Sequence, residues 1–261
     1  MKIVVPVKYV PEPTATWNFS ADLTLDREGV EGRLSELDEY AVEQAVRLTE
    51  NGVDAEIVAL TVGPAKATDA LRRALAIGAH SGVHVLDEAI HGSDAVATSR
   101  VLAAAIGRTG FDLVVTGMAS TDAEMSVVPA MVAERLGAAQ VTFASALQVD
   151  AAAGTVTIRR DGDTASEQVQ ATLPAVVSVT DQTGEPRYPA FKAIMASKKK
   201  PVTTLSLADL GIAASDVGAA GSAVVVRSLT PRPPKQAGVV VEDEGDGAAR
   251  IADFLVERKF L

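Results

Sequence analysis

The chain has 261 residues, 48% of them apolar, which is enough for one large domain with extensions and argues against disorder. A net charge of −10 at pH 7 excludes a general nucleic-acid binder, which needs a basic face to displace counterions from phosphates. With no cysteine there is no disulfide framework, thiolate nucleophile or Cys-ligated metal, as suits a reducing compartment.

The first eight residues place five apolar side chains between Lys2 and Lys8, too few for a signal-peptide core, and no later run approaches membrane-spanning length. A soluble, cytoplasmic protein is expected. Short Val/Ile-rich runs at residues 3–7, 55–62, 82–86 and 112–117 read as buried strands of a parallel sheet. Between them, Leu37, Ala41, Ala45 and Leu48 share a helical face, opened by Ser35 with Asp38 three residues on, a capping-box-like start. A second helix follows Gly63-Pro64 and ends at Gly78, and a third starts near Ser93-Asp94. This alternation predicts an α/β fold with a doubly wound, mostly parallel sheet.

Two stretches break the rhythm. Residues 17–20 and 23–25, followed by Asp26-Arg27-Glu28-Gly29, predict a β-hairpin inserted between the first strand and the first helix. Residues 155–160, 167–172 and 175–179 predict three strands, the first two joined across Asp161-Gly162-Asp163, so the sheet becomes mixed. In the tail, Val224-Val225-Val226 is a candidate edge strand, and Pro231-Arg232-Pro233-Pro234 fixes an extended segment. A last helix spans about 248–260, with apolar Ile251, Phe254 and Leu255. The expected organisation is a nucleotide-binding α/β domain over residues 1–222 and a C-terminal arm over 223–261.

In doubly wound sheets, ligands bind beyond the carboxyl ends of the strands. The richest such segment is Gly117-Met118-Ala119-Ser120-Thr121-Asp122-Ala123-Glu124-Met125-Ser126-Val127-Val128, leading into a helix through Pro129. Its hydroxyls and the free amides of the helix start suit a phosphate without a lysine, and equally suit plain capping and turn formation. It is neither a Walker loop nor a GxGxxG fingerprint. His80 and His84 flank a turn and a strand rather than sharing a helical face, which disfavours a metal, and His91 reads as a solvated loop residue. All three histidines lie within twelve residues, so no Ser/His/Asp arrangement assembles. Lys198-Lys199-Lys200 reads as a solvated face. The nearby Phe191, Ile194 and Met195 fit either a core or a partner surface.

Taken together, Leu173-Pro174-Ala175-Val176-Val177, Glu185-Pro186-Arg187-Tyr188, Ile194-Met195-Ala196 and Lys198-Lys199-Lys200 resemble the signature region of electron-transfer flavoprotein β subunits. Val5-Pro6-Val7-Lys8, Glu39-Tyr40-Ala41-Val42-Glu43-Gln44-Ala45, Gly63-Pro64 and the tail Pro234-Lys235-Gln236-Ala237-Gly238-Val239 agree, in family order along essentially the whole chain.

The resemblance implies an electron carrier rather than an enzyme, a heterodimer whose larger α subunit holds most of an FAD. The β subunit would then have an adenine-nucleotide α-hydrolase-like fold, bury an AMP, and wrap its partner with the arm. It further implies acyl-CoA or related dehydrogenases as electron donors and a membrane quinone reductase as acceptor. Carried over by position, the nucleotide would touch Pro6, Ser35, Glu36, Leu37, Asp38, Val62 and residues 117–128. The dehydrogenase-recognition loop would span about 188–200, with Phe191 as exposed anchor beside Ile194 and Met195, and Asp161 would pair with a basic partner residue. Leu37 stands where some members carry an aromatic residue near the flavin, and Val128 where others carry a hydroxyl. Two alternatives remain open: an electron-bifurcating variant with a second FAD in place of AMP, and an adenine-nucleotide-binding protein of the same fold. A hydrolase of that kind needs a Ser-Gly-Gly-type loop after the first strand, where this chain has Lys8-Tyr9-Val10-Pro11.

Overall fold

A computed structural model describes residues 1–234, 238 and 240–261. The chain divides into two units, Met1–Arg227 and Ser228–Leu261. The first is built on a nine-stranded sheet. Its strands are β1 (Lys2–Pro6), β4 (Glu56–Val62), β5 (Ser81–Val85), β6 (Leu113–Gly117), β7 (Ala139–Asp150), β8 (Thr155–Asp161), β9 (Ser166–Thr172), β10 (Ala175–Val179) and β11 (Val202–Leu205). A separate antiparallel pair is formed by β2 (Tyr9–Pro11) and β3 (Gly32–Leu34). The sheet order is β11-β5-β4-β1-β6-β10-β7-β8-β9; strands from β11 through β7 run parallel, and β8 and β9 add an antiparallel meander.

Residues alternate between two cores because the parallel strands are buried on both faces. Ile3, Val5, Ile57, Val115 and Val177 pack under α1 (Glu36–Glu50) and α2 (Ala67–Ile77). Val4, Leu60, Val114 and Val176 pack under α3 (Ala95–Thr109) and α4 (Val128–Leu136). Helix α3 begins where Asp94 accepts a hydrogen bond from the Ala97 N–H at 2.9 Å, and α4 carries Pro129 in its first turn. Three short helices follow: α5 (Phe191–Ser197), α6 (Gly218–Gly221) and, in the second unit, α7 (Gly247–Glu257). Among the described residues, no helix is long and apolar enough to cross a membrane.

Several elements differ from the sequence expectation. The inserted hairpin is wider than expected: its ladder is β2–β3, and residues 17–25 contribute one bridge, Phe19 to Leu25, closed by Ser20 N–H to Thr24 O at 2.8 Å. Phe19 stays exposed, so that tip has no core to extend its pairing. Residues 224–226 form no strand and are exposed; Val224 N–H donates instead to Asp94 Oδ2 at 3.1 Å. The 12-residue β7 and the edge strand β11 are additions that the sequence patterns do not announce. Lys235, Gln236, Ala237 and Val239 of the tail motif lie outside the described residues.

Candidate functional site

The direction of strand succession reverses between β1 and β6, which are neighbours in the sheet. A crevice beyond their carboxyl ends is the expected ligand position in such a fold. The chain leaving β1 and the start of α1 are fastened across it. Ser35 N–H donates to Lys8 O at 2.9 Å, and Lys8 N–H donates to Asp38 Oδ2 at 2.8 Å. The loop after β6 joins them, with Thr121 N–H donating to Ser35 Oγ at 3.3 Å. The expected capping box is therefore not made. Ser35 stands at the N-cap position, but its hydroxyl and the Asp38 carboxylate are both turned to long-range partners.

Gly117 sits where β6 meets α1. A Cβ there would lie 2.8 Å from the Leu37 carbonyl and from Asp38 Oδ1, so only glycine permits this approach. Of the expected ligand residues, the structure brings Pro6, Ser35, Leu37, Asp38 and the sequence from Gly117 to Asp122 to this crevice, with Val62 at the end of the adjacent β4. Glu36 and the stretch from Ala123 to Met125 form an exposed rim. Glu124 and Ser126 adopt left-handed backbone, at φ 50° and 55°, as the loop turns into α4 through Val127 and Val128.

Two cations absent from the sequence expectation complete the site. Asp122 is 2% exposed and receives the Lys8 ammonium at 2.9 Å on one oxygen and the Arg27 guanidinium on the other. Lys8 Nζ also lies 3.3 Å from Ser120 Oγ, and Arg27 holds Tyr9 O at 3.0 Å. Burial by itself would raise the Asp122 carboxyl, but Lys8 and Arg27 outweigh it and hold the group well below the usual carboxylate range. Burial also lowers the Lys8 ammonium, because it lies in a recess although its side chain keeps some surface exposed. The signal for Lys8 was its place two residues after the end of β1; Arg27, on the inserted hairpin, gave none. Among the buried side chains of the loop, the Thr121 hydroxyl has no hydrogen-bond partner. A buried hydroxyl of this kind normally finds an acceptor or donor.

Asp38 behaves oppositely to Asp122. Burial raises its carboxyl to about 7, against the lowering effect of the Lys8 N–H and ammonium and with a further upward push from Asp122. A raised folded-state value means that the stability contributed by this group is present below about pH 4 and is lost as pH rises towards 7. Asp38→Asn keeps an acceptor for Lys8 N–H and does not ionise, so its melting temperature should fall less between pH 5 and pH 8 than that of the parent protein. The contribution of Asp122 changes below that range and does not interfere. Equal falls in both proteins would remove Asp38 as the source.

The remaining expected residues lie elsewhere. Phe191, Ile194 and Met195 are on α5, beside α2; Phe191 is 78% exposed and Met195 is exposed. Asp161 ends β8 on the other half of the sheet, where it already accepts from Arg159 Nε at 2.9 Å and from Ser145 and Ser166. The two do not form one patch. His80 Nδ1 accepts from Ile57 N–H at 2.9 Å and buried His84 bridges Thr68 and Gly63 O, while His91 is an exposed loop residue, as expected, that pairs with Asp22 at 2.7 Å. Lys200 is not part of a solvated face; its ammonium donates to Leu75 O and Ala79 O at the end of α2.

The two segments with family resemblance, in α1 and before α5, meet in an ion-pair network. Arg187 Nε donates to Glu43 Oε2 at 2.7 Å and its Nη atoms reach Glu50 at 2.7 Å, while Arg47 Nε donates to Glu43 Oε1 at 2.8 Å. Glu43 is 2% exposed.

Residues 22–210 match the family described as electron transfer flavoprotein domain. The chain is 42% identical to the electron transfer flavoprotein subunit beta of Mycobacterium bovis, over 99% of each chain. It is equally similar to the one from Mycobacterium leprae. It is 36% identical to the Syntrophomonas wolfei protein of the same name, over 98% of this chain and 96% of that one.

Proposed function

Because this chain belongs to the electron transfer flavoprotein family, among its β subunits, we propose that it forms one half of a cytoplasmic heterodimer that accepts electrons from acyl-CoA or related dehydrogenases and passes them to a membrane quinone reductase. Family membership carries the role of electron carrier, association with a flavin and an α-subunit partner. In the proposed assembly the α subunit holds most of the FAD, which supplies the redox chemistry, and this chain binds AMP, orients the partner and excludes water.

The observation that carries the nucleotide reading is the Thr121 hydroxyl, buried without a partner in the loop beyond the switch-point strand. The hydroxyls of Ser120, Thr121 and Ser126 and the Lys8 ammonium would hold the phosphate, and Pro6, Val62 and Leu37 would line the rest. Exposure of Phe191, Met195 and Tyr188 supports a docking face for the dehydrogenase. Asp161 would have to exchange its Arg159 partner for one on the dehydrogenase. The exposed Ile251 and Phe254 of α7 support an arm, residues 223–261, that packs on the α subunit.

Heat release of the ligands from the heterodimer, purified with its α subunit, should give one FAD and one AMP per pair. Two FAD and no AMP would assign this crevice to a second flavin. Absence of any adenine nucleotide beyond one FAD would overturn the binding role of the loop.

A further inference from the structure

Helix α5 has seven residues, far too few to be stable alone, and only Ser197 of it is buried. Apolar packing is limited to the half-buried Ala193 and Ile194 beside α2, a small anchor for so short a helix. Its two ends are held by arginine contacts to other parts of the chain. On the upstream side, Arg187 is tied to Glu43 and Glu50 of α1, while Arg47 donates to Thr183 O at 3.1 Å and Glu185 O at 2.9 Å. On the downstream side, Arg72 of α2 places one Nη1 on Ser197 O at 2.8 Å and on Lys200 O at 2.9 Å. Lys200 returns its ammonium to the end of α2 at Leu75 O, 2.8 Å, and Ala79 O, 2.6 Å. Between these ends, Tyr188 and Phe191 are 81% and 78% exposed, and Tyr188 is steadied by the Arg73 guanidinium 4.9 Å from its ring centre.

We infer that Arg187 and Arg72 are positioning residues that hold α5 in the conformation it presents to a dehydrogenase, so that its ordering is completed in this chain before docking. A segment ordered in advance loses less conformational entropy when it binds, which raises affinity without any new contact. The inference rests on the docking role proposed for Phe191.

The test uses the heterodimer, with a medium-chain acyl-CoA dehydrogenase reduced by octanoyl-CoA as the probe. Three variants are compared: Arg72→Met, which keeps the stem and loses the donors; Arg187→Lys, which keeps the charge and loses the planar fork; and Phe191→Ala. Amide exchange of residues 191–200 should quicken about tenfold or more in Arg72→Met, and less in Arg187→Lys. The KM for the heterodimer should rise about fivefold or more in both, with kcat unchanged. Phe191→Ala should raise KM about thirtyfold and leave exchange as in the parent. Unchanged exchange in Arg72→Met, or faster exchange with an unchanged KM, would overturn the positioning role. A parent heterodimer that this dehydrogenase does not reduce, or a Phe191→Ala variant that docks normally, would instead remove the docking reading and the inference with it.

Discussion

Gly117→Ala should lower the melting temperature of the protein by about 5–10 °C and abolish retention of the AMP proposed for the crevice. The added Cβ would meet the Leu37 carbonyl and the Asp38 carboxylate at 2.8 Å, and both are fixed: one is backbone, the other is bonded to Lys8 N–H. Overpacking of this kind costs about 1–3 kcal/mol, or more where backbone has to move. For a domain of this size each kcal/mol is about 2–4 °C. The elements forced apart are β6 and α1, which lead into the Thr121 loop and follow Ser35, so ligand retention should fall before folding does. Gly107→Ala is the control: it lies within α3 with nothing inside 4 Å of its would-be Cβ, and should be neutral or stabilising by up to about 1 kcal/mol. Two variants with the same melting temperature would contradict the close approach.

The crevice was legible because its loop follows a Val-rich strand and precedes a helix, a position that local pattern reveals. What sequence did not reveal was the redirection of side chains by distant partners. Ser35 and Asp38 have the spacing of a capping box, but the groups that claim them, Thr121 N–H and Lys8 N–H, are 86 and 30 residues away. Lys200 has the pattern of one of three exposed lysines, but the end of α2 lies beneath it and takes its ammonium. The parallel strands were readable as runs buried on both faces. Strand β7 was not, because its first half lies in the parallel sheet and its second half is a partly exposed hairpin arm, giving no single period.

Glu43→Ala should destabilise the protein by about 2–4 kcal/mol at pH 7, read as a fall in melting temperature of about 5–12 °C. Removing one member of a fully buried pair costs about 3–5 kcal/mol; here the two guanidiniums are 36% and 38% exposed and regain part of that in water. The variant leaves Arg47 and Arg187 near each other, with Glu50 still paired to Arg187. Burial would raise the Glu43 carboxyl, but the Arg187 and Arg47 hydrogen bonds prevail and lower it. A lowered folded-state value gives stability that is present above about pH 4.5 and is lost on acidification through the folded value. The gap between parent and variant should therefore be widest at neutral pH and shrink below about pH 4. A gap that is constant with pH would show that Glu43 contributes by packing alone.

The position of β10 between β6 and β7 constrains how the sheet can close. Strand β7 precedes β10 in the chain, yet the two pair side by side, and β6 reaches β7 only through β10. The meander β7-β8-β9 can close from local contacts, while β1, β4, β5 and β6 assemble on their own side. The slot between the two halves stays open until residues 175–179 arrive. Long-range parallel pairing of this kind is slow, and an unfilled slot presents two bare strand edges in the meantime. A released chain that ends before β10 should therefore aggregate more readily than one extended through Val179, and its central amides should exchange faster.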